Sequence, residues 1–272
     1  RDLHSFPTRR SSDLTHCGRR ASQMSEFEGN VRVTKLTVGV SSCLLGEAVR
    51  YDGGHKANSH IMGTLAEYFE FRSFCPEIDI GMGVPRTPIR LARRASHVIR
   101  CIATDAAATD YTDALRACAD GQRNWHENLC GYIFKKDSPS CGMAGVKVSG
   151  GVGPEFDGIG MYADKTMQNF PSLPCEEEDS LADTALRENF IQRVRAMGRW
   201  HALHERGISL RSLREFHNRH LGILMRHDRG GCEQLEKILT KTSEDLLPEN
   251  ARNYLIQFMT VLKNRRAGEF PG

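Results

Sequence analysis

The sequence predicts an α/β fold: a mostly parallel, Rossmann-like sheet with helices on both faces, followed by a smaller all-α domain. Two observations carry this. Short strand-like segments alternate with helical ones as far as residue 169, the pattern of right-handed crossovers in a parallel sheet. Beyond the run Phe170 to Glu178 (FPSLPCEEE), apolar residues recur almost throughout at helical spacing. A third observation bears on chemistry: Cys43, Cys75 and Cys141 each stand just past the carboxyl end of an expected strand.

The first strand is expected where Leu36, Val38 and Val40 alternate with other residues, ending at Ser41-Ser42-Cys43. Residues 59 to 70 read as a helix with Ser59 as its N-cap. The apolar stretch Phe71 to Phe74 runs into Cys75-Pro76-Glu77. Strand-like pieces follow at Ile89 to Leu91 and Val98 to Ala103, then a helix over much of 110 to 128. Tyr132 to Phe134 form a further strand, which ends at Asp137-Ser138-Pro139-Ser140-Cys141-Gly142. After a linker at 170–180, Leu186, Phe190, Val194 and Met197 mark one helix, and Ser209 caps a second that carries Leu213 and Phe216. A third is expected from Glu249 to Lys263, after Pro248. The expected domains are therefore 31–169 and 181–272.

Residues 1–30 are set aside. Ser5 to Leu14 resembles a translated sequencing adapter, and Met24 is a reasonable native start. Residues 1–23 hold five arginines against two aspartates, the whole of the formal charge of +3, so the global charge says nothing about nucleic acid. The final Arg-Arg-Ala-Gly-Glu-Phe-Pro-Gly fits a shortened reading frame. No apolar run approaches the ~20 residues of a membrane span. Nine cysteines, an odd and irregularly spaced set, favour a reducing, cytoplasmic compartment with thiols free or bound to metal.

In open α/β sheets the carboxyl ends of the strands share one edge, where ligands bind. Three thiols on three neighbouring loops there can meet at one point. Pro after Cys75 and Gly after Cys141 shape tight loops, as at iron–sulfur ligands. Three thiolates are one short of a closed structural site, which is what a catalytic metal needs. An iron–sulfur cluster is the preferred reading. Zinc, with His55 as fourth ligand, ranks below it because the usual CxxC pairs are absent. Cys101, Cys118, Cys130 and Cys232 are assigned to the core, and Cys17 to the set-aside terminus.

Ser-Cys-Leu-Leu-Gly with Arg50-Tyr51-Asp52-Gly53, Cys-Pro-Glu with Gly83-Val84-Pro85-Arg86, and Ser-Pro-Ser-Cys-Gly together resemble the thiouracil desulfidase (TudS-like) family. Pro174, Glu176, Glu177, Leu181, Arg187-Glu188-Asn189-Phe190, Arg199-Trp200 and Phe216-His217 resemble the helical domain of YbgA/RudS-like fusions. The resemblance spans roughly residues 34 to 262. It implies a [4Fe–4S] cluster on Cys43, Cys75 and Cys141 with the fourth iron open, and non-redox removal of sulfur from thiolated uracil or, in the fusions, from thiolated tRNA. Glu77, two residues from a ligand, is then the expected general acid or base, and Ser138 a hydrogen-bond donor or proton relay. Ser42, Arg50, Tyr51, Asp52, Gly53, Arg86, Lys136 and Ser140 are expected to bind substrate.

Residues 187 to 229 hold ten arginines, no lysine and four acidic residues. Such a face suits phosphate, so Arg195, Arg199 and Arg219 are expected RNA contacts, with Trp200 stacking a base and His217 beside it. Two rival functions stay open: a non-catalytic RNA-binding adaptor with structural zinc, and a thiol or iron–sulfur redox protein.

Overall fold

A computed structural model describes residues 35–94, 98–105, 109–150, 153 and 155–264, all within one compact unit. The expectations for residues 1–30, Cys17, Met24 and the last eight residues lie outside the described residues.

β1 (Leu36–Ser41) is followed by a 3-10 turn over Ser42–Leu45, then α1 (Ser59–Met62), β2 (Phe69–Phe74) and α2 (Pro76–Asp79). Next come β3 (Ile89–Arg93), β4 (Ile99–Ala103), α3 (Thr112–Gly121), α4 (Arg123–His126) and β5 (Gly131–Phe134). β6 (Val146–Ser149), β7 (Glu155–Gly158), α5 (Met161–Asn169) and β8 (Cys175–Glu177) complete the α/β part. The helices α6 (Thr184–Glu205), α7 (Leu210–His227), α8 (Arg229–Lys241) and α9 (Leu247–Lys263) end the described chain.

The strands form two four-stranded sheets where one was expected. The first has the order β2-β1-β5-β8, and every neighbouring pair is parallel. The second, β4-β3-β6-β7, pairs β3 with β6 in parallel and both edges antiparallel. β3 and β4, read as members of the main sheet, belong to the second.

The helix expected over 59–70 lasts one turn. Its cap is Asn58 rather than Ser59: the Asn58 carboxamide oxygen accepts from the His60 and Ile61 amides. β2 begins by Phe69, because Phe69 packs edge-on against Phe190 in the core. Ser209 does cap α7, in a reciprocal box with Ser212.

Residues 170–180, expected as a linker, carry β8 on the sheet edge. The adjoining helices share a core with that sheet: Val38, Val40 and Ile133 cluster with Phe190, Val194, Trp200, Phe216 and Phe258. Gly198 permits the approach of α6, since a Cβ there would come within 2.5 Å of the Leu36 side chain. The buried Arg193 of α6 ion-pairs with Glu176 of β8, and its Nε donates to Asn189, which in turn donates to the Leu262 carbonyl of α9. Among the described residues no helix is long and apolar enough to cross a membrane.

Candidate metal and substrate cavity

The order β2-β1-β5 sets three adjacent parallel strands side by side, so their carboxyl ends form one edge. Cys43 follows β1, Cys75 follows β2 and Cys141 lies in the loop after β5. All three line a single cavity of about 400 Å³, with Ser41, Ser42, Arg50, Tyr51, Lys56, Glu77, Arg86, Lys135, Lys136, Ser138 and Ser140 among its other walls. Convergence of the three cysteine loops is thus a property of strand order.

Each loop is held by backbone bonds. Lys56 donates its amide to the Cys43 carbonyl at 2.8 Å. Cys75 caps α2, with Pro76 in the first turn, where the missing amide costs nothing. The Cys141 loop docks on the start of α5: the Met161 amide donates to the Pro139 carbonyl, and the Tyr162 and Ala163 amides to the Ser140 carbonyl. Gly160 is required there, because a Cβ would lie 2.5 to 2.6 Å from backbone atoms of Ser140 and Cys141.

The thiols are free, with Cys43 and Cys141 buried and Cys75 half-buried. Burial pushes Cys43 up to about 11, while the nearby Lys135 ammonium pulls the other way. Burial likewise raises Cys75, opposed by the Ile78 amide, and Cys141, opposed by the Ser140 hydroxyl. A coordinated metal would deprotonate such thiols outright. Among the described residues the only three ligand atoms within 4.8 Å of one another belong to His217, Cys232 and Glu236. Three free thiols around one shared hollow are a donor set that fits an iron–sulfur cluster. His55 is exposed and is not among the cavity-lining residues, and its Nδ1 accepts from the Ala57 amide.

Glu77 is fixed on both oxygens. Oε2 accepts from Arg86 Nε at 2.9 Å and Nη2 at 2.6 Å, and Oε1 accepts from Ser140 Oγ at 2.6 Å. Ser140 Oγ lies 2.9 Å from Ser138 Oγ and 3.5 Å from Cys141 Sγ. Ser138 Oγ accepts from the Cys141 amide at 3.1 Å. A continuous polar chain thus runs from Arg86 through Glu77 and the two serines to the third cysteine loop.

Several expected substrate contacts have other duties. Arg86 is 5% exposed at its side chain and spends Nε, Nη1 and Nη2 on Glu77 and the Gly83 and Val49 carbonyls, so it positions Glu77. Lys136 lines the cavity, and its ammonium pairs with Asp179 at 2.7 Å. Asp52 and Gly53 do not line the cavity. They form a tight turn, with Gly53 at φ 75° and Asp52 accepting from the Gly54 amide, and this turn presents Arg50 and Tyr51 at the rim. Ser42, Arg50, Tyr51, Arg86, Lys136, Ser138 and Ser140 do line it. Lys56 and Lys135 were missed. Lys135 pairs with Glu178 while its field reaches Cys43, and nothing in its local sequence separates it from Lys136.

In the helical region Arg195, Arg199 and Arg219 are exposed. The Arg195 guanidinium lies over the Tyr68 ring at 5.3 Å, and Arg199 Nη1 approaches His220 Nε2 at 3.2 Å. Trp200 and His217 require correction: they are 5% and 3% exposed, packed with Phe216 and Tyr254, so neither offers a face to a base.

A cysteine-lined cavity at the carboxyl edge of a parallel sheet, with a fixed carboxylate beside it, has the make-up of an α/β enzyme site able to hold a metal. The chain belongs to the 2-thiouracil desulfurase family, whose profile matches residues 38–178 and so spans every cavity residue. Among solved structures it is similar to a [4Fe–4S]-dependent thiouracil desulfidase, TudS, with 26% identity over 56% of this chain and 97% of that one, at a TM-score of 0.45. No curated protein matches it. The family match ends before α6.

Proposed function

We propose that this protein removes sulfur from thiolated uracil without net redox change, using a [4Fe–4S] cluster held by Cys43, Cys75 and Cys141. The observation that carries this reading is the meeting of those thiols, from three adjacent strand ends, in one cavity with the Glu77–Ser140–Ser138 chain. When bound, the cluster supplies a soft Lewis acid for a thiocarbonyl sulfur.

The remaining chemistry belongs to side chains of this protein. Hydrolysis converts C=S and water into C=O and hydrogen sulfide, so one group must accept a proton from water and another must return one to the departing sulfur. Glu77 is the acceptor: Arg86 locks one oxygen, and the other points along the serine pair. Ser140 and Ser138 carry the proton between Glu77 and the Cys141 side of the cavity. Arg50, Tyr51, Ser42 and Lys56 supply the edge contacts of the pyrimidine ring. The Lys135 ammonium offsets part of the negative charge of the Cys43 thiolate, and its partner Glu178 acts the other way.

The exposed arginines of α6 and α7 support the narrower reading in which the ring is presented by thiolated tRNA. Anaerobic reconstitution followed by sulfide assays on 2-thiouracil, 4-thiouracil and thiolated tRNA tests both levels. Sulfide release with the cluster oxidation state unchanged is expected, and a redox cycle without sulfide would overturn the reading. Removing α6–α9 is an unsuitable test of tRNA binding, because they share the core of the sheet. The triple change Arg195→Ala, Arg199→Ala and Arg219→Ala should weaken turnover of tRNA and spare the free base. Equal effects on both substrates would confine the activity to small molecules.

A further inference from the structure

A second donor set lies where α7, α8 and α9 pack, away from the cavity. His217 of α7 places Nδ1 3.0 Å from Tyr254 Oη of α9, while its Nε2 is buried with no hydrogen-bond partner. An unsatisfied buried polar atom is costly, so it calls for an explanation. Cys232 and Glu236 stand one turn apart on α8 and therefore on one face. Ligand atoms of His217, Cys232 and Glu236 all lie within 4.8 Å of one another. Cys232 is a free thiol, 1% exposed, and Glu236 is exposed, which opens the group to solvent on one side.

We propose that His217 Nε2, the Cys232 thiolate and the Glu236 carboxylate bind one zinc-class divalent cation that pins α7 to α8. The donors fit that ion in kind: one imidazole nitrogen, one thiolate and one carboxylate suit a borderline-soft cation, and a water completes the tetrahedron. They fit in charge, since two anions balance two positive charges once the thiol proton has left to solvent. With Nε2 coordinating, Nδ1–H donates to Tyr254 Oη, which fixes the tautomer as outer partners of metal-bound histidines do.

This inference is independent of the desulfidase reading. The test equilibrates the full chain, cluster loaded, with buffered zinc, then measures zinc and iron per chain and the zinc-edge X-ray absorption. One zinc with a single sulfur in a nitrogen/oxygen shell is expected. A three-sulfur shell would place zinc on the cavity cysteines and overturn the proposal, as would the absence of bound zinc. Glu236→Gln, at an exposed position, should retain the fold and lower zinc affinity about tenfold or more, and Tyr254→Phe should cost about 10–100-fold. Cys232→Ser should remove the sulfur scatterer with iron content unchanged. Zinc binding indifferent to Glu236 and Cys232 together would reject the site.

Discussion

The α/β region and the four closing helices both carry polar and aromatic side chains suited to binding or chemistry, yet they use them differently. At the sheet edge Cys43, Cys141, Glu77 and Ser138 lie in loops and a single helical turn, turned toward a shared hollow. In the helices Trp200 and His217 lie on inward faces and build the core, while the arginines remain outside. Residue type alone did not separate the two cases. Position did: a reactive residue just past a strand end is delivered to an edge, whereas one in phase with Leu, Val and Phe on a helix is delivered to the interior.

The sharpest way to break this contrast is at the thiols. Cys43→Ser, Cys75→Ser or Cys141→Ser should each abolish both iron incorporation and sulfide release, read by iron content and sulfide assay. Cys101→Ser, in the second sheet, should leave both in place. Loss of activity with full iron would detach the thiols from the cofactor.

Glu77→Gln comes next. It should preserve cluster absorbance and lower kcat by about 10²–10⁴-fold, the usual worth of a positioned acid or base. Unchanged turnover removes Glu77 from the mechanism.

On the helical side, Trp200→Ala should cost about 3–5 kcal/mol in denaturant unfolding, as a large core truncation does. A near-neutral result would mean that the indole is a surface group after all, and would restore it as an RNA contact.

His126 probes the buried packing beside the cavity sheet. Burial lowers it from 6.5 to about 4, with Nε2 2.8 Å from Tyr162 Oη. Between those values the unfolded chain binds the proton and the folded protein does not. Its contribution is therefore complete above pH 6.5 and is lost as pH falls toward 4, a change of order 3 kcal/mol. His126→Gln should flatten the stability profile across that window; an unaltered acid slope would assign the loss elsewhere.

The smallest effect belongs to the surface. Arg195→Ala forfeits the contact with Tyr68 and should cost no more than about 1 kcal/mol of stability. A larger loss would make that arginine structural and weaken its part in tRNA binding.

The three cysteine loops were legible because one alternating strand and two short apolar ones end abruptly at Ser41, Phe74 and Phe134, and turn chemistry follows each. The division into two sheets was not. β6 and β7 are four residues each, β8 only three and embedded in an acidic run, too short for periodicity to register. The α8 helix was missed because Gly230 and Gly231 sit in its first turn, where Gly reads as a breaker; Asp228 caps it by accepting from the Gly231 amide.

By itself the sequence determined which residues could do chemistry, since local patterning and turn residues act over a few positions. It separated a parallel-sheet region from a helical one and placed thiols at strand ends. Only tertiary structure decided the partners: that Arg86 clamps Glu77, that Lys135 rather than Lys136 reaches Cys43, and that Trp200 and His217 are buried. The reason is physical. These contacts join residues from different strands and helices, and their geometry follows from strand order and helix packing, which no local pattern encodes.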